Sequence, residues 1–139
     1  MSDALTCILI DPFACEVRSI ELPKATNSAD LAPYYAALSH ETMSVTTFEA
    51  IRAALLRGGD VIFVDEEGMF KDCPRHFIHA GFRHSLIGKG LIVGATHSGK
   101  AISAEPPLYD VQRCTVFLER DGDRLRETTT PWVKDETND

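Results

Sequence analysis

One thiol and three imidazoles lie within twelve residues of one another near the middle of the sequence: Cys73, His76, His79 and His84. Thiolate and imidazole are ligands that zinc favours, so one hypothesis is a zinc site, or a hydrolase, built around these four residues. Their spacing, C-x2-H-x2-H-x4-H, is that of no standard zinc finger or ribbon. On a strand, His76 and His79 would point to opposite faces, because an odd separation reverses the side chain. The competing hypothesis treats all four as polar residues of a strand and its loops that lie on a rim.

Nucleophilic catalysis by a cysteine with a histidine as its base is a second candidate chemistry. Cys73 and Cys15 are the available thiols, because Cys7 and Cys114 lie in apolar runs that predict buried strands. Buried thiols are usually inert. No spacing places either candidate thiol beside a histidine, so the sequence assigns no catalytic residue.

Three consecutive acids, Asp65, Glu66 and Glu67, are a third candidate, since paired carboxylates can act as general acid and base. They precede Gly68 in a pattern typical of a tight reversal, for which we expect Gly68 at positive φ and a return strand at Met69 and Phe70. Acids at such a tip are ordinarily solvated, and we favour that interpretation.

Gly94–Lys100 reads G-x-x-x-x-G-K and is one residue short of a phosphate-binding loop. That loop needs a Ser or Thr after the lysine and a helix that begins there. Position 101 is Ala, and Pro106 and Pro107 leave no room for a helix of useful length. We therefore predict a turn between two strands, and a nucleotide site at Lys100 is the disfavoured alternative.

The elements that must position these residues are mostly short strands separated by turn signals. The predicted hairpins are Thr6–Ile10 with Glu16–Leu22, Leu91–Val93 with Ala101–Ser103, and Arg113–Leu118 with Arg124–Thr128. Helices are expected at about residues 28–38 and 47–57, the second starting at a capping box formed by Thr46 and Glu49. The prediction is a single α+β domain, residues 1–128, with a mostly antiparallel sheet built from hairpins and a polar, frayed tail, residues 129–139.

Net charge, the length of apolar stretches and the cysteine spacing exclude several classes of function. Twenty-one acidic against fourteen basic residues give a net charge of −7, which argues against broad nucleic-acid binding and is compatible with a basic protein partner. No stretch approaches the roughly 20 apolar residues of a membrane span, and the first residues do not have the pattern of a secretion signal. The four cysteines are widely spaced, as expected of reduced thiols. We therefore expect a cytoplasmic protein.

Two segments carry a resemblance to a known family: VIFVDEEGMF, Val61–Phe70, and LIGKGLIVG, Leu86–Gly94. With the opening hairpin, they resemble the domain-of-unknown-function 3846 family, small proteins carried mostly by phages, plasmids and conjugative elements. The resemblance covers about residues 5–105. It implies no agreed activity and no catalytic residues, and it implies an accessory protein that acts by binding.

The resulting expectation is a small non-enzymatic accessory protein of a mobile genetic element that binds a protein partner, such as host or defence machinery, without a cofactor. Its alternative is the metal-binding protein or hydrolase centred on Cys73, His76, His79 and His84, with zinc as the cofactor. Self-association through an exposed strand edge is also open.

Overall fold

The computed structural model describes residues 4–24, 31–41, 43–51, 61–79, 84–95, 101–104 and 108–128. These residues contain ten strands and two short helices. The strands are β1 (Ala4–Asp11), β2 (Glu16–Pro23), β3 (Phe48–Ile51), β4 (Val61–Asp65), β5 (Arg75–His79), β6 (Leu86–Ile87), β7 (Gly90–Ala95), β8 (Ala101–Ile102), β9 (Thr115–Asp121) and β10 (Arg124–Glu127). The helices are α1 (Ala32–Leu38) and α2 (Leu108–Arg113). No helix in this part of the chain is long and apolar enough to cross a membrane.

The strands form two antiparallel sheets. The first has the order β2-β1-β7-β4-β3, with β8 paired to β7, and the second has the order β10-β9-β5-β6. All the pairings between the described strands are antiparallel. The predicted α+β class with a mostly antiparallel sheet is confirmed.

Strand β1 is buried on both faces, which explains the unbroken apolar run in its sequence. Leu5, Cys7 and Leu9 belong to the core beneath α1, whereas Ile8 and Ile10 belong to the core shared with the second sheet. Successive side chains of a strand point to opposite faces, so a central strand between two layers needs apolar residues at every position. The first sheet is therefore the middle layer of the molecule.

The two cores lie on opposite sides of this middle layer. The core under α1 contains Leu5, Cys7, Leu9, Leu22, Tyr34, Leu38, Val45, Leu91 and Val93. The core between the sheets contains Ile8, Ile10, Val17, Ile62, Val64, Phe77, Ile92, Val111 and Phe117. Each large apolar side chain buried in this way contributes about 2 kcal/mol to stability.

The two sheets are in close contact at Gly90. A Cβ on this residue would lie 2.6 Å from Cζ of Phe77 and 3.2 Å from Cγ2 of Ile62. Phe77 is completely buried on β5, so neighbouring atoms prevent its ring from shifting to make room for a side chain at position 90. Glycine is required here because the Phe77 ring packs directly on the backbone of β7.

The three predicted hairpins are present, but the predicted strand at Arg113–Leu118 starts only at Thr115, because Arg113 ends α2 and Cys114 is a partly exposed turn residue. β1 and β2 pair over their whole length, from Ala4 opposite Pro23 to Asp11 opposite Glu16. β9 and β10 are joined by a turn in which Gly122 has a φ of 66°. β7 pairs with β8, Gly94 opposite Ile102.

The β7–β8 pairing shows that no helix begins directly after Lys100, as a phosphate-binding loop would require. Ala101 and Ile102, directly after Lys100, are strand rather than helix. Residues 96–100 lie outside the described part of the chain, and the residues on either side of them pair antiparallel, Gly94 opposite Ile102 and Ala95 opposite Ala101. The predicted strand after Lys100 is confirmed, and the turn predicted before it lies outside the described residues.

The helix predicted at about residues 47–57 is wrong over Phe48–Ile51. These residues form β3, an edge strand that pairs with β4, Phe48 opposite Asp65. The Phe48 ring packs against the rings of Tyr35 and Phe63, at 4.9 and 4.7 Å between centroids, and these contacts outweigh the local capping signal. Residues 52–57 lie outside the described part of the chain.

The positions of the two helices also differ from expectation. α1 begins at Ala32 with Pro33 in its first turn, within the predicted 28–38, of which residues 28–30 lie outside the described ranges. The second helix is α2, which follows Pro106 and Pro107 and ends at Arg113. A proline pair does stop a strand, and here the chain after it is free to start a helix.

The acidic segment after β4 is not a hairpin tip. Gly68–Phe70 form a 3₁₀ turn, and the φ of Gly68 is not positive, so the predicted return strand at Met69 and Phe70 is wrong. β4 pairs with β3 and β7, while the next strand, β5, pairs with β6 and β9. The chain crosses from the first sheet to the second at this point.

Both helices also bond to the outer strand of the first sheet. The Gln112 side chain of α2 donates to the Val17 carbonyl at 3.0 Å, and the Tyr34 hydroxyl of α1 donates to the Pro23 carbonyl at 2.8 Å. Val17 and Pro23 lie near opposite ends of β2. Two backbone acceptors of this edge strand are thus occupied by side chains.

Candidate functional site

A cleft of about 120 Å³ lies where the chain crosses between the sheets. One wall comes from β3 and β4, another from β6, and the crossing turn closes the site. The residues that line it are Glu49, Val64, Asp65, Glu66, Gly68, Ser85, Leu86 and Ile87. Three acids and a hydroxyl thus share a cleft with the apolar side chains of Val64, Leu86 and Ile87.

Asp65 anchors the cleft and is not solvated. Its side chain is 2% exposed, and its Oδ2 lies 2.6 Å from Nζ of Lys71. Its Oδ1 accepts the Glu67 backbone N–H at 3.0 Å, and Lys71 also donates to the Ser44 carbonyl at 2.6 Å. The interpretation of this acidic turn as solvated therefore fails for Asp65, although Glu66 and Glu67 are exposed.

The remaining negative charge of the cleft belongs to Glu49 and Glu66. Both residues are exposed, and among the residues that the structure describes no cation lies within ion-pair distance of either carboxylate. Lys71 already neutralises Asp65, so two carboxylates are left to attract a cation. Phe70, two residues beyond Gly68, is 82% exposed and adds an apolar surface at the same turn.

Ser85 forms a hydrogen bond to a buried histidine. Its Oγ lies 3.0 Å from Nδ1 of His76, and Nε2 of His76 lies 3.1 Å from the Cys73 carbonyl. A carbonyl only accepts, so the proton of the neutral ring is on Nε2, and Nδ1 accepts the Ser85 hydroxyl proton. Burial lowers the pKa of His76 and Arg120 lowers it further, while the bond to Cys73 acts in the opposite direction. The ring is therefore the neutral base at pH 7.

The structure does not gather the four predicted metal ligands. Cys73 is buried with its thiol directed to the Arg75 carbonyl at 3.4 Å, and burial raises the pKa of that thiol. His84 is exposed. Within the described ranges, which include all four residues, no group of three or more His, Cys, Asp and Glu side chains is arranged to hold a metal ion.

The two strand histidines lie on opposite faces of β5, as their odd separation requires. His76 meets Ser85, and His79 shares its face with Phe77 and lies with its Nδ1 3.3 Å from Oγ1 of Thr115. Thr115 in turn donates to the Val111 carbonyl at 2.7 Å. Burial lowers the pKa of His79. The two histidines are strand residues, as the competing hypothesis held, but both are buried and do not lie on a rim.

Sequence reasoning missed two residues of the cleft. Glu49 was assigned to a helix, where its carboxylate would have served as a cap, and Ser85 carries no motif. Ser85 meets His76 because β5 and β6 pair, His76 opposite Ile87, which a spacing of nine residues does not reveal. A predicted β5–β6 hairpin would have been the only signal.

Comparison of the chain with protein-family models, with curated proteins and with solved structures gives no match. The resemblance to the domain-of-unknown-function 3846 family stays a prediction from the two quoted segments.

Proposed function

We propose that this protein is an accessory protein that acts by binding a protein partner, and that a lysine or arginine side chain of the partner enters the cleft between the sheets. The observation that carries the proposal is the pair of carboxylates, Glu49 and Glu66, which face the cleft without a described cation. A role in a mobile genetic element rests on the sequence resemblance alone.

The size of the cleft favours a side chain over a cofactor. Sites for small organic ligands usually have volumes of about 300–1,000 Å³, whereas this cleft has about 120 Å³. That volume suits the end of one long side chain. Val64, Leu86 and Ile87 supply the apolar surface along which the methylene groups of a lysine or arginine pack.

Phe70 supplies the second contact of the proposed interface. Aromatic residues are enriched among the few positions that dominate binding energies, and a phenylalanine that is 82% exposed gains apolar burial when a partner covers it. The partner's sequence should therefore present a basic residue next to an apolar one. Exposed ion pairs contribute only about 1 kcal/mol each, so the charges act mainly on specificity and on the rate of association.

The test is retention of a partner from host lysate on the immobilised protein, at low and at high salt. Retention of a basic protein should fall as salt rises, because the Debye length shortens from roughly 10 Å at 0.1 M to roughly 3 Å at 1 M. The cleft variant, Glu49→Gln with Glu66→Gln, should lose that partner, and Phe70→Ala should weaken its retention.

The matched control is Glu21→Gln with Asp123→Asn, which removes the same charge from exposed positions outside the cleft. The control should retain the partner like the unmodified protein. Equal retention by the cleft variant and the control, or recovery of the protein's own chain alone and without salt dependence, contradicts the proposal.

A further inference from the structure

We infer that Ser85 is an activated nucleophile, with His76 as its base, and that it accepts acyl groups from short uncharged carboxylic esters that enter the cleft. The inference does not depend on the proposed partner binding, because the nucleophile and its base follow from the Ser85–His76 geometry; the carboxylates bear only on the choice of uncharged esters.

The hydrogen-bond chain sets the direction of proton transfer. The Cys73 carbonyl holds the ring proton on Nε2, so the lone pair of Nδ1 points at the Ser85 hydroxyl at 3.0 Å. This is the arrangement in which a histidine takes the proton of an attacking serine. Since burial keeps His76 in its neutral form, no proton has to leave the ring before it can act.

Burial of the base and access to the nucleophile complete the geometry. His76 is 5% exposed and fixed through both ring nitrogens, whereas Ser85 lines the open cleft. The base is therefore shielded from water, while Ser85 borders the cleft in which a substrate carbonyl would lie. Ser85 borders the apolar side chains of Leu86 and Ile87, and the carboxylates of Glu49 and Glu66 repel anionic esters.

The acylation step balances without a further reactant. Ser85 Oγ bonds to the ester carbonyl carbon while its proton passes to His76 Nδ1; the bond to the alcohol oxygen then breaks, and the imidazolium returns the proton to the departing alcohol. Attack by water on the acyl-serine repeats the sequence and restores the hydroxyl. A backbone carbonyl stabilises the imidazolium less than a carboxylate does, so we expect slow turnover.

The test uses diisopropyl fluorophosphate and p-nitrophenyl acetate on the folded protein. The first reagent should form an Oγ–phosphorus bond on Ser85 with loss of fluoride, found by mass spectrometry of the peptide that contains Ser85. Hydrolysis of the second should exceed the background rate. Both reactions should disappear in Ser85→Ala, slow by about 100-fold in His76→Gln, and stay unchanged in the control Ser19→Ala, which alters an exposed serine of β2.

A second variant covers the case in which His76→Gln does not fold. In Ser85→Cys the new thiol should react with iodoacetamide faster than free cysteine does at pH 7, because the His76 imidazole accepts its proton and leaves the reactive thiolate. Absence of a Ser85 adduct in the unmodified protein, or a thiol in Ser85→Cys no faster than free cysteine, overturns the inference. Neither result bears on partner retention, which is measured separately.

Discussion

Lys71 and Asp65 form an ion pair of 2.6 Å that ties the segment after β4 to the end of that strand. The Asp65 carboxylate is almost completely buried, and Lys71 is its only cation among the residues that the structure describes. The pair holds the turn that forms one side of the cleft.

Replacement of Lys71 by Met should lower the free energy of unfolding by about 2 kcal/mol, because it leaves a buried carboxylate unpaired. Lys71 is 27% exposed, which keeps the effect below that of a fully buried pair. Urea denaturation provides the measurement. The control is Arg120→Met, which removes the exposed pair with Asp72 and should cost less than about 1 kcal/mol. Equal losses of unfolding free energy in the two variants would show that the buried Asp65–Lys71 pair stabilises the fold no more than the exposed Arg120–Asp72 pair does.

Gly90→Ala should destabilise the protein by about 1–3 kcal/mol, since its Cβ would lie 2.6 Å from the Phe77 ring. Phe77→Leu removes the ring atoms concerned, so the double variant should lose less than the sum of the two single losses. A double-mutant cycle from urea denaturation measures this coupling. The control is Gly122→Asn, at a positive φ with no atom within 4 Å of its Cβ, which should change stability by only a few tenths of a kcal/mol. Strict additivity of Gly90→Ala and Phe77→Leu contradicts the predicted steric origin.

Acidification should weaken the fold as the pH falls below about 6.5, the ordinary pKa of histidine. Burial lowers the pKa of both His76 and His79, so between that value and their lower folded pKa the unfolded chain binds protons that the folded chain does not. The stability that these neutral rings provide is present above pH 6.5 and is lost as the pH falls. The free energy of unfolding, measured between pH 7.5 and 5.5, should decrease less steeply in His79→Gln than in the unmodified protein, and identical slopes would refute the assignment.

The four thiols should react with iodoacetamide in two groups at pH 7.5. Cys15 and Cys114 are partly exposed, whereas Cys7 and Cys73 are buried. Burial raises the pKa of Cys7 to about 11, so its reactive thiolate is scarce. Mass spectrometry of the native protein over time should show labelled Cys15 and Cys114 first, with Cys7 and Cys73 labelled only in urea. Early labelling of Cys7 would contradict the described packing of β1.

Purified protein should not contain zinc in stoichiometric amount, because the structure does not gather Cys73, His76, His79 and His84 around a common point. Elemental analysis measures this directly. Cys73→Ala is the informative variant: zinc at one atom per chain that disappears with this substitution would restore the metal-binding hypothesis.

The elements that the sequence predicts correctly are those determined by neighbouring residues. The β1–β2 and β9–β10 hairpins follow from alternating apolar residues and from turn signals such as Asp121-Gly122. The strand after Lys100, in place of a helix, follows from the lack of a Ser or Thr at position 101. In each case the decisive contacts are made within about twenty residues of chain, so local patterns are sufficient.

The elements that the sequence misses depend on side-chain contacts that no turn signal or apolar pattern marks. Phe48 carries a helical pattern, but its ring is held between Tyr35 and Phe63, which come from α1 and β4. The burial of Asp65 depends on Lys71, beyond a turn whose shape is not that of a hairpin. Ser85 and His76 meet only through strand pairing. The cleft is therefore invisible until the two sheets are assembled.

Among the strands that the structure describes, none pairs with the outer side of β2, which therefore forms one edge of the first sheet. Gln112 and Tyr34 already fill acceptors near its two ends, so an incoming chain that tried to extend the sheet would first have to displace both side chains. Side chains of the two short helices thereby hinder the pairing of this edge with a strand of another molecule. Loss of both contacts should leave the protein folded but prone to aggregate into fibres.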